Sequence, residues 1–153
     1  MAPEVRRIPA DSPDALRLVA DMVAELVPVY GDVDEPGTPS ATPEDFSPPG
    51  GAFVAVYADG RPVAGGGIKR LDAATAEIMR MYVAPAARSR GLARLLLDAL
   101  EDAARSLGYR VARLDTASEQ RHAVALYASA GYVEVPDYNG NPYATYWAEK
   151  VLA

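Results

Sequence analysis

The chain has 153 residues, no cysteine, one histidine and a formal charge of −6, a length that suits one domain with one sizeable core. Hydrophobic residues at 50% and charged residues at 24% exclude a disordered chain or a long coiled coil. The missing cysteines remove disulfides, a thiol nucleophile and thiolate metal sites; with His122 the single histidine no metal is expected, and the acidic balance argues against nucleic acid as a partner.

Met1 to Ala10 lacks the apolar run of a signal peptide. No stretch nears the ~20 apolar residues of a membrane span, so a cytoplasmic protein without a membrane partner is expected. The charge is uneven. Residues 11–45 hold Asp11, Asp14, Asp21, Glu25, Asp32, Asp34, Glu35, Glu44 and Asp45 against the lone base Arg17. Ile78 to Leu97 holds no acid but carries Arg80, Arg88, Arg90 and Arg94, a place where a small anion could bind.

Ser12-Pro13-Asp14 reads as a helix start, with a capping serine, proline at the first helical position and an acid at the positive end of the dipole. Leu16, Val19, Ala20, Val23, Leu26 and Val27 recur at helical spacing, and Pro28 should end the helix nearby. Residues 31–51, rich in Pro and Gly, read as a long loop with a short helical turn at Pro43–Phe46. Phe53–Ala58, Pro62–Leu71 and Ala76–Val83 read as an antiparallel meander, its first turn made by Asp59-Gly60. Gly65-Gly66-Gly67 reads as a bulge in the middle strand, or as a close backbone approach by a substrate.

From Gly91 the period becomes helical, with Leu92, Leu96, Ala99, Leu100, Ala103 and Leu107 on one face and Gly108 as terminator. Val111–Asp115 is the next strand. Ser118 would cap a helix carrying Ala123, Leu126, Tyr127 and Ala130, ended by Gly131; Tyr132–Val135 and Thr145–Val151 are the last strands. The fold class is α/β (α+β in some schemes).

The segment from Val83 to Arg94 carries the most chemistry. A strand ends, a loop with Arg88, Arg90 and Gly91 follows, and a long helix begins. Unpaired N–H groups and the dipole make such a helix start a phosphate site; the plain alternative is a solvated helix start.

Arg88-Ser-Arg-Gly91-Leu-Ala93 resembles the Gln/Arg-x-x-Gly-x-Gly/Ala motif of the GNAT superfamily of N-acetyltransferases. Met79–Pro85 resembles that family's fourth strand. Leu114-Asp-Thr116, followed by Ala123-Val-Ala-Leu126-Tyr127 and Gly131-Tyr132, resembles its fifth strand and next helix. The resemblance implies one GNAT domain over residues 1–153, with a mixed, mostly antiparallel sheet of about six or seven strands flanked by helices. It further implies acetyl-CoA as cosubstrate and a small primary amine as acceptor. Backbone groups of Met81 and Val83 would pair with the pantetheine arm. Amides of Arg88, Ser89, Arg90, Gly91, Leu92, Ala93 and Arg94 would hold the pyrophosphate. Tyr127 matches the general acid that protonates the departing thiolate. Gln120 stands where the family often has Asn; its CoA contact is expected through a longer reach.

By the same resemblance, a carboxylate on the fourth strand or an ordered water takes the amine's proton. Glu77 is the strand candidate and alternates with Met79 and Met81, which puts all three on one face. His122, in the first turn of its helix, is expected to be exposed. Without cysteine, direct attack of the amine on the thioester is the simpler mechanism. The first helix, its following loop and the last hairpin would wall the acceptor site, with Tyr30, Asp32, Asp34, Glu35, Phe46, Tyr138, Tyr143 and Tyr146 among their residues. Tyr30 and Tyr138 are the substrate candidates, and the acidic segment could steer a cationic amine. An acyl-CoA sensor without turnover, a transferase of protein N-termini or of aminoacyl-tRNA, and a homodimer stay open.

Overall fold

A computed structural model describes residues 2–31, 41–117 and 120–152, with the backbone alone at Tyr30. In chain order the elements are β1 (Glu4–Ile8), α1 (Pro13–Tyr30), β2 (Ala52–Ala58), β3 (Arg61–Arg70), β4 (Thr75–Val83), α2 (Leu92–Ser106), β5 (Val111–Thr116), α3 (Arg121–Ser129), β6 (Val133–Glu134) and β7 (Tyr146–Val151). The strands form one seven-stranded sheet, ordered β1-β2-β3-β4-β5-β7-β6. Every neighbouring pair is antiparallel except β4 and β5, which run parallel and are joined through α2.

The local signals act where the chemistry places them. Ser12 caps α1 by accepting from the Ala15 N–H at 3.4 Å. Asp59 and Gly60 both take positive φ, 51° and 77°, as a two-residue hairpin between twisted strands requires. α1 runs past Pro28 to Tyr30, since a proline in the last turn sacrifices little of the helix's bonding. β1 carries almost no sequence signal: Val5 and Ile8 break the alternation, and Glu4, Arg6 and Arg7 make it a charged edge, which discourages pairing with other chains. Ser118 lies outside the described residues, and α3 has Gln120 at its N-cap position.

Alternation along β2 sorts the core. Val54 and Val56 point to one side, against Leu96, Leu97 and Leu100 of α2 and Tyr127 of α3. Phe53, Ala55 and Tyr57 point to the other, against Ala15 and Leu18 of α1 and Phe46 of the loop. Burial of a leucine contributes about 1.5–3 kcal/mol, so the three fully buried leucines of α2 fix that helix, and with it the position of its N-terminus.

The β3–β4 ladder does shift between Gly65 and Gly67, with the extra residue on β4, and a second shift against β2 makes Val63 the extra residue on β3, since Val56 and Tyr57 face Ala64 and Pro62. A Cβ on Gly65 would lie 2.7 Å from Leu18 Cδ1, and one on Gly67 would run into the Phe46 ring. The close approach is therefore by α1 and Phe46. Gly67→Ala is expected to cost about 1–3 kcal/mol by overpacking. Thermal unfolding should show a midpoint lower by about 2–4 °C per kcal/mol; an unchanged midpoint would mean that Phe46 moves aside freely.

The bulge that matters for the site is on β4. Met79 faces Gly67 and Tyr82 faces Gly65, so Arg80 and Met81 together stand opposite Gly66. Arg80 takes a left-handed φ of 62°. The extra residue resets the alternation. Met81 joins Ile78 and Val83 on the α2 side, while Met79 and Tyr82 pack on the α1 side. The expected common face for Glu77, Met79 and Met81 is thus broken at Arg80.

Candidate active site

β4 and β5 pair only over Thr75–Glu77 and Val111–Arg113. Beyond that, the bulged half of β4 leaves β5, whose last residues Leu114–Thr116 pair with β7 alone. The gap is a cleft of about 290 Å³. Met22 and Leu26 of α1 line it from one side of the sheet, Gln120, Ala123 and Tyr127 from the α3 side, and Met79, Arg80, Met81, Asp115 and Thr116 along its walls. A ligand arm can therefore enter from one face and meet a second molecule on the other. The α1 wall and the Asn141, Tyr143 and Ala144 wall from the segment before β7 fall where the resemblance puts an acceptor site.

Tyr127 is buried on α3 with its hydroxyl at the cleft. It donates toward Met81 Sδ at 3.7 Å, and its ring meets Tyr132 edge-on, with centroids 5.9 Å apart. Burial, then the nearby Asp115 charge and Tyr146, push its phenol up to about 12. It keeps its proton through the physiological range and presents it beside the thioether of Met81.

The carboxylates are arranged unexpectedly. Glu77 is 3% exposed and does not line the cleft. Its Oε2 accepts from Tyr138 Oη at 2.6 Å and from Asn139 Nδ2 at 3.2 Å, and its Oε1 lies 3.8 Å from Lys69 Nζ. Asp115, one strand away, does line the cleft. Its Oδ2 accepts from Asn139 Nδ2 and, at 3.3 Å, from Asn141 Nδ2. Trp147 Nε1 donates to Asn139 Oδ1 at 3.0 Å, which fixes how that amide is turned. Asn139 thus bridges the two carboxylates, with Glu77 behind Asp115. Tyr138 sits in this second layer: burial, then the Glu77 charge, push its phenol well above the ordinary range. The side chain of Tyr30, and Asp32, Asp34 and Glu35, lie outside the described residues.

Val83 and the segment Arg88–Arg94 do not line the cleft but continue from the β4 wall. Arg88 departs from its expected place. Its guanidinium lies 2.7 Å from both oxygens of Glu25 on α1, its Nε donates to the Val83 carbonyl at 2.9 Å, and its amide donates to Pro85 O at 3.3 Å. It clasps the end of β4 to α1, which leaves the segment from Ser89 onward as the open part. Ser89 and Gly91 take left-handed φ of 65° and 75°. Gly91 is the N-cap of α2 and no side chain caps that end, so the amides of Leu92, Ala93 and Arg94 lack an acceptor within the helix. The Leu92 side chain is buried, so only its backbone can serve here. Arg90 is exposed; Arg94 pairs with Asp98 at 3.0 Å, an exposed contact worth little. His122 is exposed as expected.

Sequence reasoning named Arg80 only within the acid-free arginine run and did not single out Asp115 as lining the cleft. For Asp115 a signal existed: alternation with Ala112 and Leu114 places Arg113 and Asp115 on the face opposite the α2 core. For Arg80 the signals were its place in the arginine run and the glycines of the neighbouring strand, opposite which the ladder shifts.

The model of the acetyltransferase (GNAT) family matches residues 19–132. The chain belongs to the GNAT family. It is 32% identical over 147 residues to the uncharacterized N-acetyltransferase YjgM of Escherichia coli K12, covering 90% of this chain and 85% of YjgM. A GNAT acetyltransferase from Staphylococcus aureus superposes with a TM-score of 0.78 at 15% identity, covering 99% of this chain and 100% of that one. The PaiA N-acetyltransferase of Thermoplasma acidophilum, in complex with coenzyme A, superposes at 0.72 and 17% identity, covering 99% of each chain. The seven-stranded sheet with three helices is the GNAT acyl-CoA N-acyltransferase fold, and the protein is a GNAT N-acetyltransferase. Among the described residues, no helix is long and apolar enough to cross a membrane, and no group of three or more His, Asp or Glu could hold a metal ion.

Proposed function

We propose that this domain transfers an acetyl group from acetyl-CoA to the primary amine of a small molecule by direct attack. The observation that carries this reading is the cleft through the sheet, with a protonated phenol, Tyr127, on one wall and a carboxylate, Asp115, on another. The pantetheine arm would run along the bulged strand past Met81 and Val83. The pyrophosphate would take the amides from Ser89 to Arg94, where anions are favoured by free N–H groups and the dipole. Gln120, exposed at the mouth on the α3 side, would contact the arm. The amine nitrogen forms the new bond to the acyl carbon and the C–S bond breaks; Tyr127 gives its proton to the departing sulfur, and the proton shed by the acylated nitrogen returns to Tyr127 through water. An alkylammonium has a pKa near 10; Asp115 would hold it by charge and pass its proton to water. Glu77 acts from behind, through Asn139, and Tyr138 holds Glu77 in place.

The experiment is thiol release from acetyl-CoA over a panel of primary amines. Amine-dependent release supports the reading; CoA binding without release over the whole panel would make the protein a sensor. The carboxylate order is tested separately. Asp115→Asn is expected to lower kcat/KM by about 10²-fold, within the range for positioned acid–base groups, and Glu77→Gln, which keeps an oxygen for Tyr138, by less than about tenfold. The reverse order would return the base to Glu77.

A further inference from the structure

A second cavity of about 120 Å³ adjoins the first on the α1 side of the sheet. Leu16 and Val19 of α1, Phe46 and Pro43 of the loop, and Phe53 of β2 give it an apolar wall. Arg80 is among the residues that line this cavity and among those that line the cleft, so it stands between the two. The same bulge that opens the cleft puts it there. The site therefore brings together a carboxylate residue, Asp115, an arginine, Arg80, and a small apolar pocket beside that arginine.

We infer that the acceptor is a free α-amino acid with a compact aliphatic side chain, its ammonium toward Asp115, its carboxylate on Arg80 and its side chain in the pocket between α1, Phe46 and Phe53. A zwitterion matches one fixed charge of each sign, where a simple amine would leave the guanidinium of Arg80 without a counterpart on the substrate. Arg80 also interacts within the protein, but a guanidinium has five donors in a fork suited to carboxylates and can serve a second acceptor. The size of the pocket selects as well. An apolar cavity of about 150 Å³ admits a benzene ring, so one of about 120 Å³ matches a leucine or methionine side chain better than an indole. This inference rests on the transferase reading above.

The test compares kcat/KM for leucine, leucinamide, isoamylamine and tryptophan at equal concentrations of free amine, with thiol release as readout. Leucine is expected to exceed leucinamide and isoamylamine by about tenfold or more, the worth of a charged hydrogen-bonded pair, and to exceed tryptophan. In Arg80→Asn, chosen because asparagine tolerates left-handed φ, the leucine-to-leucinamide ratio is expected to fall to about one. Arg80→Lys should keep part of it. If Arg80→Asn does not fold, titration calorimetry of the native protein with CoA and leucine or leucinamide reads the carboxylate preference, and the same titration of Arg80→Lys reads how much of it belongs to the guanidinium. Release with no preference for the carboxylate, or a ratio unchanged in Arg80→Asn, overturns the zwitterion. Absence of release from these four, with release from another amine of the panel above, overturns this inference alone; absence of release from that whole panel overturns the transferase reading.

Discussion

Tyr127→Phe is expected to lower kcat by about 10²–10⁴-fold, the usual contribution of a positioned general acid, with the KM for acetyl-CoA nearly unchanged. The substitution removes one oxygen and keeps the buried ring, its edge-on contact with Tyr132 and its place in the core. The lost bond runs to a thioether at 3.7 Å, a weak acceptor, so folding stability should barely move. The pH profile gives a second readout. The phenol is pushed up to about 12 by burial and by Asp115, so the acid stays protonated throughout an ordinary assay. The rate should therefore rise with pH as the acceptor ammonium, pKa near 10, releases its proton, with no falling limb from Tyr127 below about pH 11. A kcat left intact in Tyr127→Phe would mean that the thiolate leaves unaided or takes its proton from elsewhere.

What was legible in the sequence follows from how local each signal is. The α2 face, the Asp59-Gly60 hairpin, the meander and the terminating glycines each depend on a few consecutive residues, and each stands in the structure as read. A motif with fixed spacing was enough to place the start of α2 at Gly91 and Tyr127 on the helix that meets the cleft. The acceptor side was not legible in this way. β1 is an edge strand with two apolar residues that fall out of phase, and tertiary pairing with β2 decides it. The bulge at Arg80 is marked only by glycines on the neighbouring strand, yet it moves Met81 to the other face and places Arg80 between two cavities. Arg88 looked like a phosphate ligand because its partner, Glu25, lies on another element far away in sequence. Glu77 looked like a free strand carboxylate for the same reason: Tyr138 and Asn139 reach it from a loop.

Gly91→Glu should raise the dissociation constant of CoA by about 100-fold, or about 2.7 kcal/mol. Gly91 is the N-cap of α2 at a left-handed φ of 75°, and a Cβ there would meet nothing within 4 Å. Space is therefore no obstacle, and the backbone penalty of a side chain is the ordinary ~1–2 kcal/mol of the left-handed region. Leu96, Leu97 and Leu100 hold the helix in the core whatever stands at position 91. The charge makes the difference. A carboxylate about 4 Å from a phosphate costs about 4 kcal/mol at an effective dielectric constant near 20, and less once salt screens an exposed group. Gly91→Ala separates the two terms: it carries the backbone strain without the charge, and its CoA affinity should stay within about tenfold of native. The gap between the two variants should narrow as ionic strength rises, because the repulsion is screened and the strain is not. Equal affinity in Gly91→Glu and the native protein would remove the pyrophosphate from the start of α2, and with it the direction in which the pantetheine arm is proposed to enter the cleft.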